Sequence, residues 1–158
     1  MSGAFTFTMR RARLEDAAAV RRELAAYLDD IGDTLDAEGL DHDIAHWQDE
    51  YDGRAGVLLL VMDEAGEVVG TAAVRVLEPG VAELKRMWLR PTVRGQGLAQ
   101  ELLDKCLDEG RRLGCRTMRL DSQARMAAAV RLYRKNDFRE IPTYNDNRRA
   151  DIWMERTL

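Results

Sequence analysis

The stretch "RPTVRGQGLAQELL", Arg90 to Leu103, carries the sharpest chemical signal in the chain. Gly95 and Gly97 stand two residues apart, just ahead of an apolar pattern of helical period. Glycines at the junction of a strand, a short loop and a helix start leave several backbone N–H groups without a helical partner. The helix dipole adds partial positive charge there, so an anion such as phosphate is favoured. Glycine also removes the Cβ atoms that would block close approach, and Arg94 offers charge-assisted bonding. The competing reading is a plain tight turn that needs glycine for its backbone. Two phosphate loops are excluded by the letters. A Walker loop needs Lys-Ser or Lys-Thr after its last glycine, and a dinucleotide fingerprint needs glycine where Gln100 stands.

Other constellations are weaker. No Ser/His/Asp or Cys/His arrangement suggests a covalent nucleophile. His42 and His46 have the i, i+4 spacing of zinc ligands, with acids around them. The residue after His42 is Asp43, not the Glu of H-E-x-x-H, and no third ligand is apparent. The pair reads as a solvated helix face, and no metal is expected.

The elements that must position these residues follow from periodicity. "FTFTMRRA" (Phe5 to Ala12) alternates like a strand, and "RLEDAAAVRRELAAYLDDIG" repeats apolar residues at Ala17, Val20, Leu24 and Leu28 like an amphipathic helix. Gly39 to Tyr51 predicts a second, shorter helix. "GVLLLVM", "VVGTAAVRVL" and "VAELKRMWLRP" are three strands joined by tight turns at "DEAGE" and "EPG". From Leu98 the period becomes helical through Leu113, and Gly114 ends it. "CRTMRLDS" is a strand, and Met126, Ala129, Val130 and Tyr133 mark another helix. "FREI" and "ADIWMERTL" are closing strands around the polar loop "PTYNDNRR". The order predicts one α/β or α+β domain over 1–158.

At 158 residues the chain can bury a core without disulfide or metal staples. Its 24 Lys and Arg against 28 Asp and Glu give a net charge of −4, so no global basic field invites nucleic acid or anionic lipid. No signal-peptide order or membrane-length apolar run is present, and Cys106 and Cys115 read as reduced core residues, so a cytoplasmic location is expected.

"ELKRMWLRPTVRGQGLAQELL" followed by "RLDSQARMAAAVRLYRKNDF" resembles the GNAT family of N-acetyltransferases. The family's R/Q-x-x-G-x-G/A signature is matched by Arg94, Gly97 and Ala99, and its A-x-x-L-Y-x-x-x-G-F block by Ala129, Leu132, Tyr133 and Phe138. Asp137 stands where the second block has glycine, which puts the turn conformation in question. The chain is most similar to a bacterial subgroup written roughly E-M-K-R-L-Y-V-x-P, R-L-D-T, M-x-x-A-x-x-L-Y and Y-x-x-N. It answers with "ELKRMWLRP", "RLDS", "MAAAVRLY" and "YNDN".

The resemblance implies a mostly antiparallel twisted sheet of about seven strands, splayed between strands 4 and 5 and flanked by about four helices. It implies acetyl-CoA as cofactor. The pyrophosphate is expected on the backbone of Gly95, Gln96, Gly97, Leu98, Ala99 and Gln100, with Arg94 beside it. The pantetheine arm is expected along Met87, Trp88 and Leu89, with Met126 at the position where many members carry asparagine. A thioester is already activated, so direct attack by an amine in a ternary complex suffices. An alkyl amine with a pKa of ~10.4 is only about one part in a thousand unprotonated at pH 7, so its proton needs a base. Glu83 is the first expectation for that base and Asp121 the reserve. Tyr133, at the family's tyrosine position, is the expected proton donor to the departing thiolate.

Tyr27, Arg86, Arg119, Tyr144 and Asn145, with Trp47 and Asn147, are the expected acceptor-side residues. Lys85, Arg86 and Arg119 either pair internally with Glu83 and Asp121 or form a cationic cluster for an acidic substrate. The acceptor is expected to be a small-molecule amine. The alternatives are a protein N-terminus or lysine, or an idle acyl-CoA-binding module. Last strands of such domains often pair across a dimer, and "ADIWMERTL" is apolar enough to make a homodimer one expectation.

Overall fold

The apolar runs in "GVLLLVM" and "VVGTAAV" demand burial on both faces. In the computed structural model, which describes residues 6–158, they form the centre of a seven-stranded sheet. The strands are β1 (Thr8–Arg11), β2 (Gly56–Met62), β3 (Val68–Glu78), β4 (Val81–Leu89), β5 (Thr117–Ser122), β6 (Arg139–Ile141) and β7 (Ile152–Thr157). Their order across the sheet is β1-β2-β3-β4-β5-β7-β6. Every neighbouring pair is antiparallel except β4 and β5, which run parallel. The expected first strand is shorter than read: Phe5 lies outside the described residues, and regular pairing ends at Arg11.

Helices cover both faces. On one, α1 (Ala17–Asp30) lays Val20, Leu24 and Leu28 against Leu58 and Leu60 of β2. On the other, α4 (Leu98–Arg112) and α5 (Ala127–Lys135) bury Leu102, Leu103, Cys106, Val130 and Tyr133 against the opposite side of the sheet. Both cysteines are buried free thiols. Among the described residues, no helix is long and apolar enough to cross a membrane.

The single helix expected over Gly39 to Tyr51 is instead two single turns, α2 (His42–Ala45) and α3 (Trp47–Glu50), broken at His46. The cause is tertiary. Ile44, Trp47 and Tyr51 dive into the core, while Asp41 and Asp43 turn inward to meet Arg86 of β4, and Asp41 also meets Arg149 from the loop before β7. Trp47 is thereby a core residue, 4% exposed, and not a pocket wall.

The helix ends repeat one device. After α1, α4 and α5 the chain closes with paired bonds, Asp33 N–H to Leu28 O, Cys115 N–H to Gly110 O and Phe138 N–H to Tyr133 O. Such caps put the preceding residue in the left-handed region. Gly32 (φ 75°) and Gly114 (φ 82°) fill it in the first two cases, and Asp137 (φ 68°) in the third. The aspartate therefore adopts the conformation a glycine would have.

Candidate active site

Two irregularities of β4 create the site. The parallel pairing of β4 with β5 lasts only from Val81/Thr117 to Glu83/Arg119, and beyond it the strands diverge. Within β4 the register against β3 slips: Lys85 faces Ala73 and Trp88 faces Thr71, so Arg86 and Met87 together oppose Ala72. Arg86 takes φ 55° to form this bulge, and the Thr71 hydroxyl donates to its carbonyl at 2.9 Å. Bulges re-aim backbone and side chains, and this one lies beside the gap. A cleft of about 350 Å³ opens there, lined by residues of β4, β5, α1, α5 and the loops before α2 and β7.

The glycine turn lies beyond the end of β4. Gly95 (φ 79°) and Gly97 (φ 80°) are both left-handed, and a Cβ on either would meet nothing within 4 Å. The first intrahelical bond of α4 runs from Glu101 N–H to Gly97 O, so the N–H groups of Leu98, Ala99 and Gln100 lack a helical acceptor. An open approach, free donors and a dipole end together fit the phosphates of a nucleotide-like cofactor. Two side chains are placed differently from expectation. Arg94 reaches back to Leu89 O at 2.8 Å and Asp30 at 3.0 Å, bracing the turn. The Gln100 amide bonds Asn136 and Asp104, tying α4 to the end of α5 and leaving its backbone N–H for an anion.

Tyr133 reaches the cleft from α5. Its hydroxyl makes one hydrogen bond among the described residues, to Met87 Sδ at 3.9 Å. A thioether is a weak acceptor, so that proton is not committed to a backbone carbonyl. Burial first, and then the neighbouring Tyr27, Cys106 and Asp121, push its pKa well above the ordinary tyrosine value. The phenol is therefore protonated at neutral pH. Met87, Met126 and Ala129 line the same end of the cleft. Trp88 and Leu89 contribute backbone only, because both side chains are buried; the Trp88 indole N–H donates to Asp30 at 3.2 Å.

Asp121 lines the β5 side. Its carboxylate accepts from the Asn145 amide at 2.6 Å and the Asn147 amide at 3.1 Å. The Trp153 indole, directly across the strand pair, donates to Asn145 Oδ1 at 2.8 Å and fixes which way that amide points. No cation lies within salt-bridge distance of Asp121 among the described residues. Its charge is also felt by Tyr27 and Tyr144, both raised, chiefly by burial.

Glu83 sits differently. It is 2% exposed and does not line the cleft. Oε1 accepts from Arg75 at 3.0 Å and lies 3.6 Å from Lys85 Nζ, while Oε2 accepts from the Tyr144 hydroxyl at 2.8 Å. Arg119 is outside the cleft as well. It stacks on Tyr144 with its guanidinium carbon 5.6 Å from the ring centre, and pairs with Glu78 and Glu155. Arg86 does line the cleft, but its guanidinium is taken up by Asp43 (2.6 and 3.1 Å), Asp41 (3.1 Å) and Leu40 O (2.8 Å). Tyr27 lies beneath it, 5.9 Å from centroid to guanidinium carbon.

Four contributors escaped sequence reasoning: Arg75, Asp41, Asp43 and Arg149. Arg149, from the loop before β7, pairs with Asp41 at 2.7 and 2.9 Å and donates to Thr34 O at 3.1 Å. Arg75 finds Glu83 across the β3–β4 hairpin, while the charged partners of the other three lie dozens of residues away, so no local period exposes them. The acids of "LDHD" were the available signal, since buried carboxylates ahead of a helix require cations.

The sheet thus opens between two parallel strands, with a helix start of free N–H groups at one end of the gap and a polar cleft at the other. The sequence profile of the Acetyltransferase (GNAT) family matches residues 21–138. An uncharacterized N-acetyltransferase of Schizosaccharomyces pombe is 32% identical over 122 residues, covering 77% of this chain and 75% of that protein. The GNAT-family acetyltransferase of Staphylococcus aureus shares the fold with a TM-score of 0.84 at 16% identity, over 96% of this chain and 99% of that one. An acetyltransferase of Salmonella typhimurium, solved with its cofactor acetyl-CoA, has a TM-score of 0.73 at 22% identity, over 96% and 94%. The chain belongs to the GNAT family. It is an N-acetyltransferase, and its acetyl donor is acetyl-CoA.

Proposed function

We propose that the protein acetylates the primary amine of a small molecule by direct transfer in a ternary complex. The observation that carries the small-molecule reading is the bridge made by Arg149. It joins the loop before β7 to the segment before α2, through Asp41 and Thr34 O, at the mouth of the cleft. Arg148 adds a pair with Asp36 at 3.7 Å. A lysine within a folded protein brings chain on both sides of the reacting residue, and the Arg149 strap narrows the room for it on the acceptor side.

When bound, acetyl-CoA supplies a thioester that needs no further activation. The amides of Leu98, Ala99 and Gln100 and the left-handed glycines hold its phosphates, and the backbone of Met87 and Leu89 lines its arm. Asp121 takes the proton of the incoming amine, directly or through one water, since it faces the cleft with no cation neutralising it. Tyr133 gives its hydroxyl proton to the departing thiolate. Glu83, which accepts from Arg75 and Tyr144 and lies beside Lys85, has the role of positioning those side chains in this reading, and Asp121 has that of the base. Two buried free thiols fit a cytoplasmic setting.

Thiol release from acetyl-CoA, measured with small amines and with short peptides bearing free N-termini or lysines, tests the reading. Small amines are expected to give the higher kcat/KM. A peptide preference would overturn it.

A further inference from the structure

We propose that the acceptor carries a carboxylate as well as its amine, and that Lys85 is the residue that selects for it; this rests on the acetyltransferase reading above. Lys85 lines the cleft from β4, its side chain 19% exposed. Among the described residues its ammonium has one charged neighbour, Glu83 Oε1, at 3.6 Å, and no hydrogen-bond acceptor. That same oxygen already accepts from Arg75 at 3.0 Å, and the other oxygen of Glu83 accepts from Tyr144. One carboxylate thus faces two cations, and the Lys85 ammonium makes no hydrogen bond within the described residues.

Arg75 also lines the cleft, and its Nε and Nη2 are both directed at Glu83 Oε1. The remaining cleft cations are held by other carboxylates. Arg86 is held by Asp43, Asp41 and Leu40 O, and Arg149 by Asp41 and Asp33. Asp43 also feels the charge of Lys85, but both its oxygens accept from Arg86, and one accepts from Tyr51 at 2.5 Å. On the facing β5 wall, Asp121 is a carboxylate held by amides and by no cation.

A lone carboxylate on one wall and an under-coordinated ammonium on the other are complementary to a zwitterion. The amine is drawn to Asp121, the group that deprotonates it. The carboxylate completes the coordination of Lys85 and offsets the second cation beside Glu83. A cleft of about 350 Å³ is of the size that holds such a molecule. The substrate class is therefore a free amino acid or a close analogue with its carboxylate intact.

The test compares phenylalanine, leucine and lysine, each with its carboxamide and its decarboxylated amine, by thiol release from acetyl-CoA. The wild type is expected to favour the carboxylate-bearing member at least about 10-fold in kcat/KM, the scale of one charge-assisted hydrogen bond. Lys85→Met should lower kcat/KM for the amino acids about 10- to 100-fold, mainly through KM, and bring the ratio near one. Lys85→Arg should keep most of the preference, and acetyl-CoA affinity should match wild type in both variants. Equal turnover of all three members, or a preference that survives Lys85→Met, overturns the inference alone. Acetyl-CoA binding with no amine of any kind acetylated overturns the acetyltransferase reading together with it.

Discussion

Arg86 grips Asp43 with Nη2 at 2.6 Å and Nε at 3.1 Å while its own backbone sits at φ 55°. A non-glycine residue in that region costs roughly 1–3 kcal/mol, and the buried ion pair keeps it there. Burial alone would raise the pKa of Asp43; the hydrogen bonds and charge of Arg86 outweigh it and bring it down to about 2. The folded value lies below the unfolded one of ~3.9, so this contribution is complete above about pH 4 and is lost as pH falls towards 2. Asp43→Asn should cost about 3 kcal/mol at pH 7 in denaturant unfolding. It should also flatten the acid dependence between pH 4 and 2. An unchanged slope there would show that Asp43 is not the linked group.

Tyr133→Phe removes only a hydroxyl whose partner is a thioether sulfur, so folding should be barely affected. Turnover should fall about 10²- to 10³-fold with acetyl-CoA affinity unchanged. Because burial raises the phenol, the wild-type rate should show no alkaline limb from Tyr133 near pH 10. A mutant as fast as wild type removes the residue from the mechanism.

Asp121→Asn should lower kcat about 10²-fold or more with acetyl-CoA affinity unchanged. Glu83→Gln should act mainly on KM, since Glu83 reaches the acceptor only through Lys85 and Tyr144. Trp153→Phe frees the Asn145 amide and should give a kcat loss between the two. Exchange of the two carboxylates' behaviour would make Glu83 the base.

Asp137 fills the left-handed cap position that Gly32 and Gly114 fill after the other long helices. An L-residue there costs about 1–2 kcal/mol, of which glycine would return part and lose roughly 0.5–1 kcal/mol in unfolded-state entropy. Asp137→Gly should therefore stabilise by up to about 1 kcal/mol, read as a higher Tm at unchanged activity. Destabilisation would mean that the carboxylate itself supports the cap.

What could be read beforehand was what repeats or punctuates locally. The face of α4, the glycine pair ahead of it and Tyr133 on α5 all declare themselves within a few residues. The Arg86 bulge did not, because bulges of this kind are signalled by glycine and here an arginine is forced into the glycine conformation. The same holds for the ion pairs that shape the acceptor side. Arg86 and Asp43 are 43 positions apart, Tyr144 and Glu83 61, and Arg149 and Asp41 108. Charge counts permit such pairs without naming them, which is why the sequence offered Glu83 as a carboxylate and did not show the two cations beside it. The helix expected at Gly39 to Tyr51 failed for the same reason, since its acids answer to cations elsewhere in the chain.

The sheet order has a consequence for self-association. β7 lies between β5 and β6, so Trp153 to Glu155 are paired on both sides. The outer edges belong to β1 and to β6, four and three residues long and carrying Arg10, Arg11, Arg139 and Glu140. Short, charged margins are poor templates for a foreign strand. Among the described residues the longest unpaired ladder is the inner margin of β4 past Glu83, and it faces into the gap. The enzyme thus turns its most adhesive backbone inward and leaves short, charged strands at its outer margins.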